Sequence, residues 1–157
     1  MLQRIQTLFL FCAFAATLAC FFLPFWNYIG TNPDYTYQLS LFKVKLISGN
    51  SQLLTISTLP IIVLSSVSGL LSVISLFYYK KRIMQMKINN FNLLFTLILT
   101  VTVFLWIPYM ISEAIPEAVS QWQAGLISPL LTIVFLLLAN IFIRKDENLV
   151  KSADRLR

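Results

Sequence analysis

Four long apolar runs separated by short polar segments dominate the chain. Ile5 to Pro33 carries no charge; Leu46 to Tyr79, Ile88 to Ser112 and Ala118 to Ile143 are three further uncharged stretches. Each exceeds the roughly 20 residues that cross about 30 Å of hydrocarbon. They predict membrane-spanning helices near residues 5–29, 52–80, 89–112 and 120–144, in a single transmembrane domain of residues 1–157. A charged helical tail is expected at 145–157. Arg4 ahead of the first run raises the alternative of a signal peptide. The run is longer than the about 7–15 apolar residues of a signal core, and Phe21-Phe22-Leu23 continues it, so a retained helix is expected.

Between the first two runs the pattern changes period. Tyr35 to Leu41 alternates apolar and polar residues, the mark of a half-buried strand, and Phe42 to Leu46 alternates again with inverted phase. The inversion predicts a tight turn or bulge near Leu41. Asn32-Pro33-Asp34 and Ser48-Gly49-Asn50 bracket the segment as turns. The expected fold class is therefore an all-α membrane protein, a four-helix bundle with a short outward β-hairpin between helices one and two. The hairpin reads as a lid over the helix ends or, more sharply, as an edge strand for a partner.

Charge sets the orientation. Arg4, Lys80, Lys81, Arg82, Lys87, Arg144, Lys145, Lys151, Arg155 and Arg157 fall on one side, ten basic residues against only Lys43 and Lys45 on the other. The positive-inside rule then places both termini in the cytoplasm. Trp26, Trp106 and Trp122 fall at the opposite ends of their helices, where aromatic anchors belong. The net charge of +6 is accounted for by the inner leaflet, and nucleic acid is not needed as a partner.

Composition agrees and removes several chemistries. Hydrophobic residues make up 58% and charged residues 11% of the chain, against roughly 45–50% and 25% in soluble domains. The chain has no His, so no imidazole metal site, His-ligated haem or His-dependent catalytic triad is available. Cys12 and Cys20 stand eight residues apart in one helix, about 12 Å along its axis, too far to form a disulfide. No glycine-rich phosphate loop occurs, and no ionisable residue interrupts the apolar runs where a proton relay would need one. No cofactor and no enzymatic activity are expected.

Small residues mark where membrane helices touch. Cys12, Ala16 and Cys20 make one such stripe, and Ser65, Gly69 and Ser72, with Ser68 and Ser75, make a second; the two are expected to meet. Asn140 is the most polar residue deep in a span and reads as an interhelical hydrogen-bonding residue. Pro24, Pro60, Pro108 and Pro129 cluster toward the outward side and open the alternative of a widened outer half. In the tail, Leu149, Ala153 and Leu156 share a helix face beside Arg155, a candidate partner-binding or membrane-resting stripe.

The opening Met1-Leu2-Gln3-Arg4-Ile5-Gln6-Thr7 and the ending Lys145-Asp146-Glu147-Asn148-Leu149-Val150-Lys151-Ser152-Ala153-Asp154-Arg155-Leu156-Arg157 resemble the terminal motifs of a small family. It is an uncharacterised family of integral membrane proteins from Bacteroidota, a domain of unknown function. The resemblance covers the whole chain, implies an inner-membrane location, and transfers no functional residues. The architecture is also similar to claudin-like tetraspans, by fold analogy only, since their W-x-x-L-W-C-C pattern is absent. The function expected is that of an accessory or scaffold subunit of a bacterial envelope complex, contacting the bilayer and another membrane protein or a second copy of itself. The alternative is a binder or carrier of a lipid or other apolar molecule.

Overall fold

The computed structural model describes residues 2–29, 36–42, 44–48, 57–79, 81–114 and 118–155. Helix α1 spans Leu2–Phe22, α2 Leu59–Phe77 and α3 Arg82–Val101. A π-helical turn, Thr102–Trp106, joins α3 to α4 at Ile107–Ala114, and α5 runs from Ile127 to Arg155. Four segments are long and apolar enough to cross a membrane: Ile5–Phe22, Leu59–Phe77, Arg82–Glu113 and Ala124–Val150. Strands β1 (Trp26–Ile29), β2 (Thr36–Leu39), β3 (Val44–Ser48) and β4 (Val119–Trp122) form one antiparallel sheet in the order β3-β2-β1-β4.

The expected helices and hairpin are present, but the sheet is wider and two helix ends are shorter than the apolar runs imply. Hydrophobicity continues through residues 23–29, yet α1 stops at Phe22 because Pro24 follows. A residue before proline is driven out of the helical region. The chain then extends, and Trp26, Asn27, Tyr28 and Ile29 show the alternating burial of a strand covered on one face. At the other end of the sheet, residues 119–122 are β4, and α5 begins only at Ile127 after a 3-10 turn at Ala124–Leu126. Pro60 sits in the first turn of α2, where its missing N–H costs nothing. Residues 52–56, expected to open helix two, and residues 115–117 lie outside the described residues. Helix α3 starts seven residues earlier than the expected 89, at Arg82.

The hairpin turn falls where the pattern changes phase. β2 ends at Leu39 and β3 begins at Val44, with Leu41 between them tucked fully into the core. Leu39 and Leu41 join Phe25, Trp26 and Tyr28 over Leu99, Val103, Ile107, Ile111 and Leu126, so the sheet packs down on one end of the bundle. The Phe25 N–H donates to the Leu39 carbonyl at 2.9 Å, and Gln123 N–H donates to the Phe25 carbonyl at 3.2 Å. A second cluster, Leu10, Ala13, Leu136 and Ala139, seals α1 against α5 further along. At the end away from the sheet, Arg82 pairs with Asp146 at 3.0 Å and Gln6 Nε2 donates to the Phe142 carbonyl at 3.1 Å.

Two glycines differ sharply in what they permit. The Gly125 N–H donates to the Pro24 carbonyl at 2.9 Å, and a Cβ there would lie 2.7 Å from Pro24 C and 2.9 Å from the Leu23 oxygen. This contact is backbone against backbone, so nothing flexible can yield. Gly69 faces α1, and its Cβ would meet only Thr17 Cγ2 at an ordinary 3.8 Å. Gly125→Ala should therefore cost about 1–3 kcal/mol by overpacking, whereas Gly69→Ala should be close to neutral. Thermal unfolding of the two detergent-solubilised variants checks this, and equal melting temperatures would contradict it.

Candidate functional site

The interior of this bundle is polar where a soluble core would be oily. Ser65, Ser68, Ser72 and Ser75 follow a three-four-three spacing on one face of α2, and all are fully buried. Gln85, Asn89, Asn92 and Thr96 make the matching face of α3. Ser68 Oγ donates to Asn92 Oδ1 at 2.7 Å and lies 3.1 Å from Thr96 Oγ1. Asn92 Nδ2 donates to Ser72 Oγ at 2.8 Å. Ser75 Oγ donates to Asn89 Oδ1 at 2.6 Å, and Gln85 Nε2 donates to the Ser75 carbonyl at 3.1 Å. Asn92 is the centre of this ladder, since its amide joins two serines on successive turns of α2. Such contacts hold helices together in lipid, where no hydrophobic force does so.

The two small-residue stripes thus do not meet as expected. Ser68, Ser72 and Ser75 of α2 bond to α3 because Asn and Gln supply hydrogen bonds that the Cys and Ala side chains of α1 lack; Gly69 faces α1. The stripe of α1 turns to α5. Cys20 Sγ lies 3.0 Å from Ser128 Oγ, and Thr17 Oγ1 3.5 Å from Thr132 Oγ1. Ala16 is buried beside them, and Cys12 is half-buried with its thiol free. Asn140 bridges α5 to α3 by donating to Asn90 Oδ1 at 2.9 Å. Among the described residues, no group of three or more His, Cys, Asp or Glu side chains is placed to hold a metal ion.

Tail residues contribute less than the sequence pattern suggests. Leu149 is half exposed on the continuing helix. Ala153 and Arg155 lie within α5, but their side chains fall outside the described residues, as does the whole of Leu156.

The most distinctive chemistry sits at the sheet end. In the π turn, the Ile107 N–H donates to the Thr102 carbonyl. The next residue, Pro108, has no N–H to give. The Val103 carbonyl is therefore left without either of its helical donors. The indole of Trp26 takes their place, donating to Val103 O at 3.1 Å. Trp26 is thus a buried cross-brace and not the interfacial anchor its position in the sequence suggests. Its ring lies 6.3 Å from Trp122 and 6.4 Å from Phe104, both edge-on, and 6.2 Å from Tyr28.

Beside this brace, a cleft of about 390 Å³ opens between the π-bulged helix and strands β1 and β4. Tyr28, Phe104, Pro108, Tyr109, Ser112 and Ser120 are among the residues that line it. The outer half is not widened at Pro24, where Gly125 closes against it; an opening forms at Pro108. Tyr28 is only 3% exposed, and its hydroxyl is enclosed with no hydrogen-bond partner among the described residues. Burial pushes its pKa up to about 12, so at neutral pH it is an uncharged donor. The sequence carried one sign of this site, the alternation of Trp26-Asn27-Tyr28-Ile29 just after Pro24, which the apolar run around it conceals.

The ladder yields a graded prediction. Asn92→Ala removes the amide that joins Ser68 and Ser72, but both hydroxyls can turn to carbonyls of their own helix. The expected cost is about 1–2 kcal/mol, in the upper range for membrane hydrogen bonds. Thr102→Val, which removes only a hydroxyl bonded to the Ile98 carbonyl on the exposed side, should stay within about 0.5 kcal/mol. Denaturant titration in mixed micelles measures both, and a larger loss for Thr102→Val would contradict the assignment.

Comparison with curated proteins and with solved structures returns no match. A family described as a domain of unknown function, DUF4293, matches residues 2–156, nearly the whole chain. With four candidate spans and this match, the chain belongs to the DUF4293 family of multi-pass membrane proteins.

Proposed function

We propose that the protein is a non-enzymatic accessory or scaffold subunit of an envelope complex in a bacterial inner membrane, with both termini in the cytoplasm and the sheet outside. The observation that carries this reading is strand β4. It ends the sheet, and all four of its residues are exposed. Val119 is 64% and Trp122 77% exposed. An open strand edge is a template for a partner's extended segment. It is held rigidly here, because β4 pairs with β1, and β1 is braced to the bundle through Trp26. The orientation is supported by the basic residues Arg82, Lys87, Arg144 and Lys145, which gather at the end away from the sheet.

A second reading, a binder of a lipid or other apolar molecule, is favoured by the cleft at Pro108.

A photo-crosslinking residue at Gln121, on the exposed strand, separates the readings in native membranes. The scaffold reading predicts one protein adduct of defined mass, lost when Val119→Pro disrupts the strand. Adducts with lipid alone would contradict it. Gln121→Cys should also react with a membrane-impermeant maleimide in intact cells whose outer membrane has been permeabilised; labelling only after lysis would invert the topology.

A further inference from the structure

At the end away from the sheet, a groove of about 310 Å³ runs between the start of α3 and the far part of α5. Lys87 and Asn90 line it from α3, and Arg144, Glu147 and Asn148 from α5. Lys87, Asn90, Arg144 and Asn148 are all exposed, so their polar ends can reach a molecule lying in the groove. Arg82, five residues before Lys87, is spent on Asp146 at 3.0 Å, but Lys87 and Arg144 have no ion pair among the described residues. Asn90 Oδ1 already accepts from Asn140 Nδ2 at 2.9 Å, which leaves the Asn90 NH2 to donate. The Glu147 carboxylate is half-buried and has a partner of its own. Two cations against this one carboxylate leave a single positive charge, the complement of one phosphodiester.

The depth of the groove follows from the charge pattern. Lys87 is the last charge before the uncharged run Ile88 to Ser112, and Arg144 is the first after the run Ala118 to Ile143. Both cations therefore stand at the boundary where hydrocarbon gives way to headgroups. Toward the bilayer centre the neighbouring surface turns apolar. Leu94, one turn beyond Asn90, and Ile141 and Leu137, one and two turns before Arg144, are exposed on the membrane-spanning segments. A groove of this volume is at the small end of ligand pockets; it suits a phosphate with its glycerol, whose chains lie outside it on that apolar surface.

We infer that this groove binds the phosphodiester of an anionic glycerophospholipid. The phosphate bridges α3 to α5 through Lys87 and Arg144, the Asn90 amide adds a donor, and the acyl chains run along Leu94 and Ile141. Basic pockets between membrane helices hold headgroups by this combination of charge and hydrogen bonding. The inference goes beyond the function proposed above: it needs only that the chain spans a membrane, and it holds for the scaffold and the carrier alike and for either orientation. A soluble phosphate offers the same anion without chains, so the test separates the two sources.

The test reconstitutes the full chain in phosphatidylcholine vesicles containing a minor share of phosphatidylglycerol. Native mass spectrometry after gentle extraction then reads which lipid each chain retains. Wild type should retain phosphatidylglycerol about 10- to 25-fold above its share of the vesicle, the worth of two cations at an anionic surface. Lys87→Gln and Arg144→Gln should each lower that enrichment about fivefold. Lys81→Gln removes the same charge at the same end but outside the groove, and should leave the enrichment nearly unchanged. Adding millimolar inorganic phosphate should not displace the lipid. Equal retention of the two lipids by wild type would overturn the inference. So would an equal loss in Lys81→Gln, which reduces the effect to diffuse surface attraction, and so would displacement by inorganic phosphate, which assigns the groove to a soluble anion. Should the Gln variants fail to fold, Asn148→Asp places a carboxylate in the groove at an exposed position; enrichment unchanged in that variant would also overturn the site.

Discussion

A backbone carbonyl in a lipid environment must find a donor within the protein, because water is not there to supply one. Val103 is where this rule bears hardest on the chain. One of its helical donors is spent on Thr102 and the other is a proline nitrogen, and Trp26 closes the gap from a strand 77 residues away in sequence. This single bond couples the sheet to the third span. It also explains why the π turn persists: the extra residue is accommodated because its displaced carbonyl is satisfied from outside the helix. π turns of this kind are frequent at functional sites, and this one forms a wall of the cleft beside Tyr28.

The bundle below the sheet follows a different rule. Its outward surface is apolar: Phe22 is 83%, Phe77 77% and Leu70 63% exposed, while Ser65, Ser68, Asn89 and Asn92 are completely buried. A bilayer solvates the first group, and the second group holds the helices in register. α2 and α3 are joined by directional hydrogen bonds, whereas α1 and α5 are joined by close packing of Ala13, Ala16 and Ala139, with Cys20 against Ser128. The basic residues Arg82, Lys87, Arg144 and Lys145 gather at the end opposite the sheet, where Arg82 and Asp146 tie the start of α3 to the far part of α5. The two ends of the molecule therefore differ in kind, one a braced sheet with a cleft, the other a charged helical rim.

Much of this was legible in the residues. Four runs of membrane length, and the phase inversion around Leu41, identify the bundle and the hairpin because both are local periodicities. What escaped is non-local. The segment 26–29 is as apolar as the helix before it, and only its pairing with residues 36–39 and 119–122 makes it a strand. Gln85 stands in a basic loop by its sequence, and Asn89 only opens the helix expected from 89. They are buried only because α2 presents serines at a matching spacing. Small residues announce a contact face without naming its partner, which is why the serine stripe was expected against α1 and is found against α3. Tyr28 carries no motif at all; it lines the cleft together with Phe104, Pro108 and Ala118, three residues from other segments.

The central claim, that Trp26 satisfies the Val103 carbonyl and so binds the sheet to the bundle, is open to direct measurement. Labelling with carbonyl-carbon-13 valine and nitrogen-15 phenylalanine selects two peptide pairs, Val103–Phe104 and Val134–Phe135. The second lies in α5, far from the brace, and is an internal reference. Trp26→Phe keeps an aromatic ring but removes the indole N–H. The Val103 carbonyl resonance should move upfield on losing its donor, with the Val134 signal unchanged. An unshifted Val103 carbonyl in a folded Trp26→Phe variant would contradict the account.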